Sequence, residues 1–221
     1  ERGAAFTFFA QLAKELPITD LRPLGQYLQS IDEPFYVLLL GKAAAARGEI
    51  LPELYFPRHP LTEMDLPVAP ALAISIARRE SEFNFGIGSP VGALGLMQLM
   101  PDTAKWVASQ LGIQNFRQSL VSDVNTNLQL GAYYLKHVLE TLDNQPLLAS
   151  AAYNAGPGRA RRWRDDTVAL EGAIYAETIP FNETRDYVKK VLKNAMYYAK
   201  VLEHDHNAPT LKQRLGVVNS K

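Results

Sequence analysis

Apolar positions recur at helical spacing along most of the chain, and no stretch shows the period-two alternation of a half-buried strand. The pattern predicts helices over Ala4–Glu15, stopped by Pro17, over Leu21–Gln29, and over Pro34–Arg47, closed by Gly48. Pro52, Pro57, Pro60, Pro67 and Pro70 then punctuate an irregular linker with Tyr55 and Phe56 as anchors. A boundary is expected at Leu66–Pro70. Further helices are expected from Ala71 to the Arg78-Arg79-Glu80-Ser81 run and from Pro101 to about Leu111. Others follow over Asn125–Thr141, Leu147–Tyr153, Arg159–Trp163, Glu171–Glu177 and Thr184–Val201. Asp102, Asp123, Asn125 and Asn182 sit where caps or first-turn residues belong. The fold class read from this pattern is all-α, with room for a small β-hairpin around Gly86–Gly95. The expected division is 1–65, 66–205 and 206–221, and Ala208–Lys221 reads as a loosely held tail.

Composition narrows the function classes. Hydrophobic residues make up 47% of the 221, enough for a packed core. The 23 basic and 23 acidic residues balance, and no basic stripe with interleaved aromatics points to nucleic acid. The one basic cluster, Arg159, Arg161, Arg162 and Arg164, runs straight into Asp165 and Asp166 and reads as a solvated face. The absence of cysteine excludes disulfides, thiolate metal sites and a cysteine nucleophile. His59, His137, His204 and His206 are scattered, so no metal is expected, and no cofactor is expected. No apolar run is long enough for a transmembrane helix. The chain opens at Glu1 without Met or a leader, and is expected to be a processed form or a piece of a longer protein.

The chemistry concentrates in Ala71–Thr103. Glu80 lies three residues after Ala77 on an apolar helix, so it points toward the buried side. Burial would raise its pKa and keep a proton available for donation. The competing reading is a helix-end Glu, solvated or paired with Arg78 or Arg79, and most Glu residues are of that kind. Gly86, Gly88, Gly92 and Gly95 follow, giving a loop that a bulky ligand can approach. Gln98 sits between Met97 and Leu99, where a buried amide needs partners from a ligand or from the loop backbone. Tyr153 and Asn154 stand at a helix end before Ala155-Gly156-Pro157-Gly158, so the Tyr153 hydroxyl is expected to reach an open groove, or else to pack in the core.

Four motifs occur in order: Glu80-Ser81, Gly95-Leu96-Met97-Gln98, Ala152-Tyr153-Asn154-Ala155-Gly156 and the Tyr187 region. Together they resemble the family 1 lytic transglycosylases, in particular the catalytic domain of the soluble enzymes, over roughly Leu66–Leu202. The resemblance implies a lysozyme-like catalytic domain, and residues 1–65 resemble the end of the α-superhelical domain that precedes it. Those helices are expected to continue N-terminally. It further implies cleavage between N-acetylmuramic acid and N-acetylglucosamine with formation of a 1,6-anhydro ring, Glu80 serving as acid and then base. Ser89, Gln98, Tyr153 and Asn154 would position the sugars or Glu80, and Met97 would offer an apolar face. Glu177 would face the peptide part of the substrate, and Tyr187 matches the last motif tyrosine. The implied partners are peptidoglycan strands and muropeptides, with cell-wall synthesis or remodelling proteins beside them. The implied location is the periplasm, with outer-membrane attachment through a part outside this chain. A goose-type lysozyme and a noncatalytic glycan-binding module are the alternatives.

Overall fold

The computed structural model describes residues 2–164, 168–202 and 209–219; Asp165, Asp166, His204 and His206 lie outside the described residues. The chain divides into two units, Glu1–Thr62 and Glu63–Lys221.

In the first unit, α1 (Arg2–Glu15), α2 (Ile18–Ser30) and α3 (Pro34–Ala46) are followed by a short turn of helix, α4 (Pro52–Tyr55). Helix α3 is apolar nearly all round and buries Tyr36, Val37, Leu38, Leu40 and Ala44, so it forms the middle of this unit. Leu21 and Leu28 of α2 and Leu54 of α4 complete the core.

The second unit is built around α5 (Pro70–Ser81), which buries every residue from Ala71 to Arg78. Pro70 starts it at a position where the missing N–H costs nothing. Its small residues let other helices approach closely. The helix ends because Glu82 and Phe83 both turn left-handed, at φ 52° and 70°. Helix α11 (Asn182–Leu202) packs along α5. It buries Thr184, Tyr187, Val188, Val191, Leu192, Ala195, Tyr198 and Ala199, the spacing of one amphipathic face. Around this pair stand α6 (Pro101–Gln110), α7 (Val124–Glu140), α8 (Pro146–Ala155), α9 (Pro157–Arg162) and α10 (Gly172–Thr178). Asp123 caps α7, accepting from the Thr126 amide at 2.8 Å.

The all-α reading holds, with two small departures. The expected hairpin is reduced to isolated bridges, Gly88 with Leu94 and Leu94 with Leu99. The described part of the tail differs from expectation, because it is docked. Thr210 and Gln213 form a capping box that starts α12 (Leu211–Leu215). Then β2 (Val217–Val218) pairs antiparallel with β1 (Leu170–Glu171). Val218 is buried, the Gln145 side chain donates to the Val217 carbonyl at 3.0 Å, and Arg164 donates to the Asn219 carbonyl at 3.1 Å. Arg164 also pairs with Asp143 at 2.8 Å, so this member of the basic cluster is a structural clasp rather than part of a solvated face.

Candidate active site

Glu80 occupies the last turn of α5, partly open to solvent and closely surrounded by protein. The buried Tyr187 of α11 donates its hydroxyl to Glu80 Oε1 at 2.6 Å. Burial pushes the Glu80 carboxyl up to about 7; the Tyr187 hydrogen bond and the Arg79 charge pull it down, and the Glu183 charge pushes it up again. Burial likewise holds the Tyr153 and Tyr187 phenols well above their ordinary range, so both remain protonated donors. Arg79 does not pair with Glu80. It reaches Asp186 at 3.2 Å, while Arg78 turns inward and donates to the Tyr198 hydroxyl at 3.3 Å.

The loop after α5 is fastened at several points. Ser81 Oγ donates to the Leu96 carbonyl at 2.8 Å and accepts from the Phe83 amide at 3.2 Å. Ser89 Oγ accepts from the Ala93 amide at 2.9 Å, which closes the Ser89–Ala93 turn. Gln98, left-handed at φ 45°, donates from its amide to the carbonyls of Gly95 at 2.8 Å and Ile87 at 3.1 Å. The loop backbone thus satisfies the Gln98 amide nitrogen.

Asn127 of α7 anchors the same loop from beneath, and sequence reasoning missed it. Its side chain accepts from the Met97 amide at 2.8 Å and donates to the carbonyls of Leu94 at 2.9 Å and Val121 at 3.2 Å. The fit leaves no spare volume. A Cβ on Gly95, itself at φ 74°, would stand 2.3 Å from Asn127 Nδ2. On Gly131 it would stand 2.4 Å from Met97 Sδ. The available signal was helical spacing: Asn127 lies three and four residues before Leu130 and Gly131, on the face that α7 buries.

Two expectations need correction. The Met97 side chain is buried, packed against Gly131, and cannot offer an apolar face to a sugar ring. The exposed apolar side chains of this loop are Phe85, Ile87 and Val91. The Tyr153 hydroxyl does not reach into an open groove; it donates to the Met97 carbonyl at 3.0 Å, beside the Tyr134 ring. Tyr153→Phe is therefore expected to cost about 1 kcal/mol of stability, since the Met97 carbonyl loses its donor. Thermal melting should fall by about 2–4 °C; an unchanged melting temperature would mean that this hydrogen bond contributes nothing.

Asn154 ties α8 to the start of α11. It accepts from Thr184 Oγ1 at 2.6 Å, and its amide lies 3.4 Å from Glu183 Oε1. Glu177 is exposed and paired with Lys189 at 2.8 Å, which holds its carboxyl below the usual range. The structure thus brings Glu80, Tyr187, Tyr153 and the backbone of Met97 together, with Asn154 linked to α11 beside them. Ser89 and Gln98 shape the loop, and Glu177 belongs to the segment before α11.

A family model described as the transglycosylase SLT domain matches residues 63–175, and one described as the soluble lytic transglycosylase helical domain matches 178–207. The soluble lytic murein transglycosylase of Salmonella typhimurium is 42% identical over 133 residues, covering 59% of this chain and 21% of that protein. The crystal structure of the 70 kDa soluble lytic transglycosylase from Escherichia coli superposes with a TM-score of 0.79 at 32% identity, over 92% of this chain and 33% of that one. An inactive Glu-to-Gln mutant of the lytic transglycosylase Slt from Pseudomonas aeruginosa gives 0.74 at 33% identity, over 92% and 33%. The chain thus spans about a fifth of the length of the curated relatives and a third of the solved ones. With the matched domain model covering half of its residues and the fold shared, the chain belongs to the transglycosylase SLT domain family.

Proposed function

We propose that this chain carries the catalytic part of a lytic murein transglycosylase. It would cleave the β-1,4 bond between N-acetylmuramic acid and N-acetylglucosamine and leave 1,6-anhydromuramic acid ends. The observation that carries this reading is Glu80, partly buried, raised to about 7 and aimed by the Tyr187 hydroxyl. Because Oε1 accepts from Tyr187, Oε2 is left to hold the acidic proton. That proton goes to the glycosidic oxygen as the C1–O bond breaks, and the N-acetylglucosamine end leaves as an alcohol. The substrate's own acetamido oxygen can meet the charge at C1. Glu80, now a carboxylate, takes the proton from the muramic acid O6 as that oxygen bonds to C1. No water is consumed, and one carboxyl near neutrality can give and then take the proton. The Pseudomonas relative, inactive as a Glu-to-Gln mutant, supports an essential carboxyl.

Peptidoglycan strands and muropeptides are the proposed substrates, and the periplasm is the proposed location. Asn154, Glu177 and the exposed loop around Ser89 and Gln98 are proposed to line the glycan path, with residues 1–65 as the end of a longer helical stack. Mass spectrometry of fragments released from purified murein tests the reading. Anhydro ends, one water lighter than reducing ends, are expected. Reducing ends would show a goose-type hydrolase instead, and no release at all would leave a glycan-binding module.

The pH dependence follows from the same carboxyl. Turnover should be greatest on the acidic-to-neutral side and fall as pH rises through about 7, where Glu80 loses its proton. A rate that keeps climbing into the alkaline range contradicts Glu80 as the acid.

A further inference from the structure

Arg79 is placed in a way that stability does not explain. Its guanidinium reaches Asp186 Oδ2 at 3.2 Å, and Lys190 reaches the same carboxylate at 2.8 Å. These side chains are a third to a half exposed, the setting in which ion pairs contribute little to folding. At the same time Arg79 Nε is buried without a hydrogen-bond partner, which is a cost. A smaller polar side chain would avoid that cost. What the arrangement achieves is geometric: Arg79 Cζ lies 5.7 Å from the centroid of the Tyr187 ring, whose hydroxyl is the donor to Glu80.

We propose that Arg79 is a positioning residue for the Glu80 carboxyl: clamped by Asp186 against the Tyr187 ring, it holds that phenol on Glu80 and keeps a fixed positive charge beside it. The proposal rests on the reading of Glu80 as the acid. The groups facing Glu80 are Arg79 from its own helix α5, Tyr187 and Glu183 from α11, and Tyr153 from α8. Among the described residues, Arg79 is the one cation that acts on Glu80, and it opposes both burial and the Glu183 charge. Asp186 lies one residue before Tyr187 and Lys190 three after it, so the clamp also fixes where α11 stands along α5.

The test compares Arg79→Gln and Arg79→Lys in the whole chain. Two quantities are read: the alkaline limb of murein turnover, and the titration of the Glu80 carboxyl by carbon-13 NMR, assigned by its disappearance in Glu80→Gln. Arg79→Gln is expected to move both upward by about 1 pH unit, because the charged form of Glu80 loses its cation. Arg79→Lys keeps the charge and is expected to return both close to the parent. An unmoved limb and titration in Arg79→Gln, with only a lower melting temperature, would overturn the proposal and make Arg79 structural. A shift in Arg79→Lys as large as in Arg79→Gln would overturn the part assigned to charge. If the parent chain releases nothing from murein, the functional reading fails by itself, and the NMR titration still decides whether Arg79 acts on Glu80.

Discussion

Glu80→Gln is expected to lower murein turnover by about 10⁴-fold, the upper end for loss of a general acid–base group. The side chain is nearly isosteric, and its oxygen can still accept from Tyr187, but it can neither donate the first proton nor take up the second. The same variant should melt higher than the parent above pH 7. Folding raises the Glu80 pKa from 4.5 to about 7, so between those values the folded chain binds more protons than the unfolded one. Stability attributable to Glu80 is therefore full below pH 4.5, is lost as pH rises through 7, and stays low beyond. Gln never carries the charge and escapes that loss, a gain of about 1–3 kcal/mol at pH 8. Turnover and thermal melting on one preparation check both halves. Residual activity near the parent level would remove Glu80 from the mechanism, and melting that is lower at pH 8 would mean that the carboxylate is paired, not burdened by burial.

Asn127→Ala is expected to be the most damaging change away from Glu80. It strips partners from the Met97 amide and from the carbonyls of Leu94 and Val121 at one stroke. Leaving such groups unpaired inside the protein costs about 3 kcal/mol altogether. In a unit of this size that lowers melting by about 6–12 °C. Turnover should fall as well, because the Met97 carbonyl is what receives Tyr153. The control is Asn125→Ala, two residues away and exposed, where a change below about 0.5 kcal/mol is expected. If both variants melt alike, the loop is held by something other than Asn127.

Much of this architecture is written in local patterns. The Pro70 start, the run of small apolar residues and the charged Arg78-Arg79-Glu80 end delimit α5 in the sequence, and the apolar spacing of α11 marks its buried face. Glu80 itself is legible because a carboxyl on an apolar helix is anomalous. What the sequence conceals are pairings between distant residues. Tyr187 meets Glu80, and Asp186 meets Arg79, each across 107 positions, and no local pattern says which ring turns inward. The motif implies an apolar face for Met97, and for Gln98 it leaves open a ligand or the loop backbone. The Met97 side chain fills the space under the loop, and the Gln98 amide nitrogen fastens that loop to the Gly95 and Ile87 carbonyls. Strands of two residues leave no periodicity to detect, which is why the β1–β2 pairing was invisible.

That clasp has a consequence in time. Leu170 finds its partner only at Val218, and Gly172 donates to the carbonyl of Gly216 at 2.8 Å. A growing chain reaches the first side of the clasp long before the second, so this corner must wait open while α11 is synthesised and packs on α5. Closing the clasp comes late and spans a long stretch of sequence, the kind of contact that is slow to form.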